Sequence, residues 1–113
     1  LKPQSEIGAF RHYLLENGYR ITAEDMVFEE GKYYPMMKVL HGEQSYGDET
    51  EYLFGRGLLD SRNPVLEQFL LKEQSSVEKI MGHLKKTDTK AGRERLSELE
   101  KELCYIKKAL ACF

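Results

Sequence analysis

Five basic residues, Lys85, Lys86, Lys90, Arg93 and Arg95, fall within eleven positions that also hold Asp88 and Glu94, so residues 85–95 carry 5 − 2 = +3. Clustered ammonium and guanidinium groups are the chemistry of phosphate contacts, where affinity comes from counterion release and no base is read. The same charges also suit a solvated helix end, and both readings stay open at this point. No other constellation rises to chemistry. The chain has no GxGxxG or GxxxxGK[ST] loop for phosphates and no CxxC or HExxH spacing for a metal. His12, His41 and His83 lie far apart in sequence and lack an evident carboxylate partner of the kind a catalytic or metal-bound histidine uses, so they are expected to be solvated or half-buried. Cys104 and Cys112 are eight residues apart, about 12 Å along a helix and too far to bridge. They are expected to be reduced thiols of a cytosolic protein, with Cys104 beside the Leu103 seam position, where small buried thiols are common. No catalytic residue, cofactor-binding residue or metal ligand is assigned.

Positioning the basic cluster falls to a small set of elements. Ser5 is expected to cap a helix over 6–17 with Ile7, Phe10 and Leu14 as its apolar stripe, Leu15 beside them and Gly18 ending it. Tyr19-Arg20-Ile21 reads as a short strand. Met26-Val27-Phe28-Glu29 and Lys32-Tyr33-Tyr34 flank Glu30-Gly31 and predict a two-residue hairpin. Pro35 lacks an N–H, which predicts a sheet edge or a bulge ahead of Met36-Met37-Lys38-Val39-Leu40. Tyr13, Tyr19, Tyr33 and Tyr34 could stack on bases, but strand propensity and burial already account for them, so they and the Met36-Met37 pair are read as core.

From 41 to 62 the pattern dissolves. Gly42, Gly47, Gly55 and Gly57 with Glu43, Asp48, Glu49 and Glu51 mark a long connection holding one short turn of helix over 51–54. Asn63-Pro64 then supplies a good N-cap and a proline at the first helical position. Leu66, Leu70, Glu73, Val77, Ile80 and Leu84 step by four and three, and Leu96, Leu99, Leu103, Ile106, Leu110 and Phe113 do the same beyond a short link. Two such stripes predict an antiparallel helical coiled-coil hairpin with arms of about 30 Å.

Composition sets the bounds on these readings. The chain has 113 residues, 41% apolar and 32% charged, with seven Tyr, five Phe and net charge −2. That is one domain's length with enough to bury, which argues against wholesale disorder. No apolar run approaches the roughly 18 residues of a bilayer span, so no membrane partner is expected. Residues 1–63 carry 7 basic and 11 acidic groups, net −4, and residues 64–113 carry 10 and 8, net +2. The chain opens Leu1-Lys2-Pro3-Gln4 with no Met, no basic n-region and no apolar h-region, as expected of a piece of something longer and with no signal peptide to read.

In order along the chain, these segments are similar to the bacterial SAM-dependent tRNA (adenine-N1)-methyltransferases that modify adenine 22 of tRNA. Leu1-Lys2-Pro3-Gln4 resembles the family's Leu-Gln-Pro-Asn stretch. Residues 11–24, RHYLLENGYRITAE, resemble its helix-to-strand motif, in which Leu-Arg-x-Trp-Leu-x-x-Asn-Gly-Tyr is usual; Tyr13 stands where Trp is common. Gly31-Lys32-Tyr33-Tyr34 resembles the following hairpin. Phe54-Gly55, Leu58-Leu59 and Asn63-Pro64 resemble the link into a C-terminal coiled coil.

The resemblance implies an α/β fragment: the tail of a Rossmann-like methyltransferase sheet over 1–42, a connection over 43–62 and the helical coiled-coil hairpin over 63–113. It implies an enzyme only as part of a longer cytoplasmic protein, the fragment alone being inactive. S-adenosylmethionine would be bound by a missing N-terminal part, and tRNA would be the partner of Lys85, Lys86, Lys90, Arg93 and Arg95. It also implies that the first helix and the hairpin lack the strands they should cover. The alternative, from the residues alone, is a non-enzymatic coiled-coil interaction or dimerisation module.

Overall fold

The computed structural model describes residues 3–113, with side chains from Glu6 onward; Leu1 and Lys2 of the Leu1-Lys2-Pro3-Gln4 motif, and the side-chain cap expected of Ser5, therefore lie outside what is described. Helix α1 (Pro3–Glu16) begins three residues before the expected start, which places Ser5 inside its first turns. Its buried face is rotated from the expected stripe. Gly8, Arg11 and Leu14 turn inward, while Phe10 is 50% exposed. Gly8 explains the rotation, because helix α2 (Glu49–Phe54) comes down on it: a Cβ there would lie 3.0 Å from Leu53 Cδ2.

Strands β1 (Tyr19–Glu29) and β2 (Lys32–His41) form an antiparallel pair in which Tyr19-Arg20-Ile21 is the start of one long strand. Glu30 (φ 51°) and Gly31 (φ 78°) are both left-handed, as a two-residue turn matched to strand twist requires. The register shift falls between Ile21 and Ala23, not ahead of Met36. Pro35 pairs in register with Met26, and in a two-stranded sheet both strands are edges where a missing N–H is tolerated. Beside the bulge the Gln44 side chain substitutes for a third strand, accepting from Ile21 N–H at 2.7 Å and donating to Ile21 C=O at 3.2 Å.

The connection expected over 43–62 is largely folded. Helices α2 and α3 (Arg56–Asp60) meet at Gly55, and Phe54, Leu58 and Leu59 enter the main core. The sequence pattern hid this because helices of five or six residues carry too few turns to display a period. Asn63 caps α4 (Pro64–Leu84), accepting from Val65 and Leu66 N–H at 2.9 and 3.1 Å. Thr89 caps α5 (Lys90–Leu110), accepting from Gly92 N–H at 3.0 Å.

These two 21-residue helices pack on each other through Leu66, Leu70, Val77, Met81, Leu99 and Ile106. Met81 replaces Ile80, which is exposed. Near Pro64 the hairpin covers a second side of α4 and buries Phe69 against Tyr33, but farther out α5 is the element packed on it, so Ile80 faces solvent. Cys104 is exposed too, since one residue beyond Leu103 turns it about 100° from the seam. The molecule extends 49 × 28 × 25 Å.

Candidate functional site

The five basic residues do come together at one end of the long helices. Lys85 ends α4, Lys86 lies in the link, and Lys90 opens α5. All five are exposed. Arg93 donates to Asp88 Oδ1, and Arg95 pairs with Glu98 at 3.0 Å. Lys85, Lys86 and Lys90 have no ion pair among the described residues. The α5 N-terminus adds partial positive charge here while the α4 C-terminus adds partial negative, so the lysine and arginine charges decide the local potential.

The other polar centre lies at the opposite end and escaped sequence reasoning. Arg11 and Glu24 form a buried ion pair, each side chain 1% exposed, with Nη2 2.8 Å and Nε 2.9 Å from Oε1. Arg11 Nη1 also donates to the carbonyls of Tyr52 (2.7 Å) and Leu53 (3.0 Å), near the C-terminal end of α2. Glu24 Oε2 accepts from Gly57 N–H at 3.0 Å in the first turn of α3. Four elements thus converge on two side chains, and every group named has a partner, which is what buried charge requires. The signal was present: Arg11 sits four residues after Ile7 and three before Leu14, within the apolar stripe of α1.

His12, next along α1, acquires the carboxylate partner its sequence surroundings did not reveal. Its Nε2 lies 2.9 Å from Glu49 Oε2, and its ring stacks on Tyr52 at 3.6 Å. His41 packs beside Tyr19, and no group of metal-ligating side chains occurs among the described residues. Of the tyrosines expected in the core, Tyr19 and Tyr33 are half-buried, whereas Tyr13 and Tyr34 are exposed, as is Met36. Tyr46, in the 43–48 stretch, is buried with Leu14 and Ile21; burial, and secondarily Glu24, pushes its phenol up to about 12.

No catalytic geometry follows from either centre. The sequence profile of TrmK, tRNA (adenine(22)-N(1))-methyltransferase, matches residues 1–108. A comparison with curated proteins found no match. Among solved structures, a proposed tRNA (m1A22) methyltransferase of Streptococcus pneumoniae, determined with S-adenosyl-L-methionine, superposes with a TM-score of 0.74 at 25% identity over 96% of this chain and 44% of its own. The B. subtilis M1A22 tRNA methyltransferase TrmK gives 0.78 at 20% identity over 91% and 47%. A Streptococcus agalactiae protein of the NADB-Rossmann superfamily gives 0.71 at 27% over 92% and 43%. The chain thus spans less than half the length of each of these structures. The match over residues 1–108 of 113 settles the family: this chain belongs to the tRNA (adenine(22)-N(1))-methyltransferases.

Proposed function

We propose that the chain is the C-terminal part of a SAM-dependent tRNA (adenine-N1)-methyltransferase that works in the cytoplasm, where it completes one edge of the catalytic sheet and positions tRNA with a coiled-coil arm. The observation that carries this reading is the family match across nearly the whole chain combined with coverage of under half of its solved relatives. The hairpin supports it. Val27, Tyr34, Met36 and Leu40 share the outer face of the sheet, each 36–47% exposed, and no third strand pairs with either edge among the described residues. A long edge with an apolar face is a surface that proteins normally cover. In this reading 1–42 close the catalytic domain, 43–62 join it to the arm, and 63–113 are the arm.

The cofactor belongs to the preceding part. Rossmann-type sites sit at a glycine-rich turn after a parallel strand, whereas the described sheet is two antiparallel strands joined by Glu30-Gly31. The residues present do not fit S-adenosylmethionine by themselves, and no step of methyl transfer is assigned to them. Their task is positioning, which lowers a barrier by holding reactants in register. Charge supports tRNA docking at Lys85, Lys86, Lys90, Arg93 and Arg95.

The test is tRNA binding by the full-length protein carrying Lys85→Glu, Lys86→Glu, Arg93→Glu and Arg95→Glu. Affinity should fall on the order of 10–100-fold at physiological salt, with a shallower salt dependence. Unchanged affinity and salt slope, with helicity retained, would sink the arm's role.

A further inference from the structure

A cavity of about 310 Å³ opens between α2 and the paired long helices, with no residue of the sheet in its lining. That volume is within the range of small-molecule sites. Its floor is apolar: Leu53 and Phe54 from α2, with Tyr105 and Ile106 from α5. Its border is acidic. Glu73 of α4 and Glu98 and Glu102 of α5 line it with Glu49, against Lys101 as the one basic lining residue.

Glu73 is the informative member. It occupies a position in the α4 stripe where Leu70 and Val77 on either side are buried. A carboxylate there is half-buried and has no hydrogen bond or ion pair among the described residues. Glu49 is engaged by His12, Glu98 by Arg95, and Glu102 has an interaction of its own, so those three charges are partly answered by the protein itself. Placing an unanswered carboxylate in a hydrophobic stripe costs stability that leucine would not. A bound cation would offset that cost.

We propose that this cavity binds a small aliphatic amine cation, of the linear diamine and polyamine class, with its methylene chain on Leu53, Phe54 and Ile106 and an ammonium group donating to Glu73. The chemistry follows from the pairing of surfaces. Methylenes gain by covering the apolar floor, and a charge-assisted hydrogen bond to Glu73 fixes the end. A neutral apolar ligand would leave the carboxylate unanswered, and an anion would be repelled. A bare metal ion would leave the floor uncovered.

The probe is cadaverine, titrated calorimetrically into the full-length protein, with neutral pentanediol as its uncharged match. Saturable one-site binding of the diamine is expected, with none by the diol. Glu73→Gln keeps the shape of the side chain and should weaken the diamine about tenfold, the loss of one charge-assisted contact. Tyr105→Lys, which sets a competing cation at the wall, should abolish binding. Diamine binding equal in the parent and both variants, equal binding of the diol, or no saturable binding would each overturn the assignment.

Discussion

The two ends of the molecule solve opposite problems. In the half built from α1, β1 and β2, one charged pair is inside and several large apolar side chains are outside: Arg11 and Glu24 are sealed at the junction, while Phe10, Tyr34, Met36 and Leu40 face solvent. In the half built from α4 and α5 the order is the usual one, with Leu66, Leu70 and Leu99 fully buried and the lysines and arginines of 85–95 outside. Nonspecific burial gives stability in the second half. In the first, orientation is fixed by directional bonds, since an arginine fork meets a carboxylate and two carbonyls in one geometry. In the proposed reading, the apolar outer face of the first half meets the rest of the sheet in register, and the helical pair needs only to be stiff.

The sharpest break of this contrast is Arg11→Ala. It strands Glu24 as a buried unpaired charge and frees the carbonyls of Tyr52 and Leu53, so a loss of about 3–5 kcal/mol is expected in urea unfolding. Replacing both partners by methionine should cost less than Arg11→Ala, because no charge is then left without a partner. Leu99→Ala attacks the other half, where a fully buried side chain leaves a cavity, and should cost roughly 3 kcal/mol. Amide exchange separates the two: the arginine variant should loosen α1 and α2 first, the leucine variant α4 and α5. Equal loosening everywhere by both variants would remove the distinction between the halves.

Legibility in the sequence follows the same division. The α4–α5 pair was readable because its cause is local and repeated: Asn63-Pro64 starts α4, and apolar residues recur on one face for six turns. Even there the pattern misplaced Ile80, since which side of a helix is covered depends on neighbours. The Glu30-Gly31 turn was readable because two left-handed residues suffice to make it. The Arg11–Glu24 centre was not, because its partners lie 13 to 42 residues apart and no local rule couples them. Helices α2 and α3 were hidden by Gly55 and Gly57, which read as loop but serve as a shared cap and a close approach to Glu24. The basic cluster was legible as a cluster, whereas the apolar, acid-edged cavity near Glu73 needed α2 to be folded against α5.

Gly55 sits where the halves meet and sharpens the comparison at the joint. Its φ of +91° lies in the left-handed region, and a Cβ would come within 2.6 Å of Glu24 Oε1 and 2.8 Å of Arg11 Nη2. Those atoms are the ends of long side chains, but their hydrogen bonds hold them in place. Gly55→Ala should therefore cost about 1–3 kcal/mol. Because α2 and α3 touch both units, exchange should rise in α1 and in the first turns of α4 together. Loosening of α1 alone would show that the joint belongs to the first half.

The smallest expected effect is one of pH. A phenol held in the folded protein at about 12, above its ordinary 10, binds its proton more tightly folded than unfolded. Its contribution is fully present below pH 10 and is lost as the pH rises from about 10 through about 12. The cause is burial of Tyr46 first and the Glu24 carboxylate second, so the effect reports on the polar centre of the first half. The reading is a difference between the parent and Tyr46→Phe, measured by urea midpoints across that interval. The variant should lose less stability on alkalinisation than the parent. Protection of α4 and α5 should follow the same alkaline course in both proteins, because Tyr46 packs with Leu14 and Ile21 and not with the helical core. A parent and variant that fall in parallel would mean that Tyr46 ionises freely in the folded state, and that the junction around Glu24 is open to water in a way the first half's sealed charges do not allow.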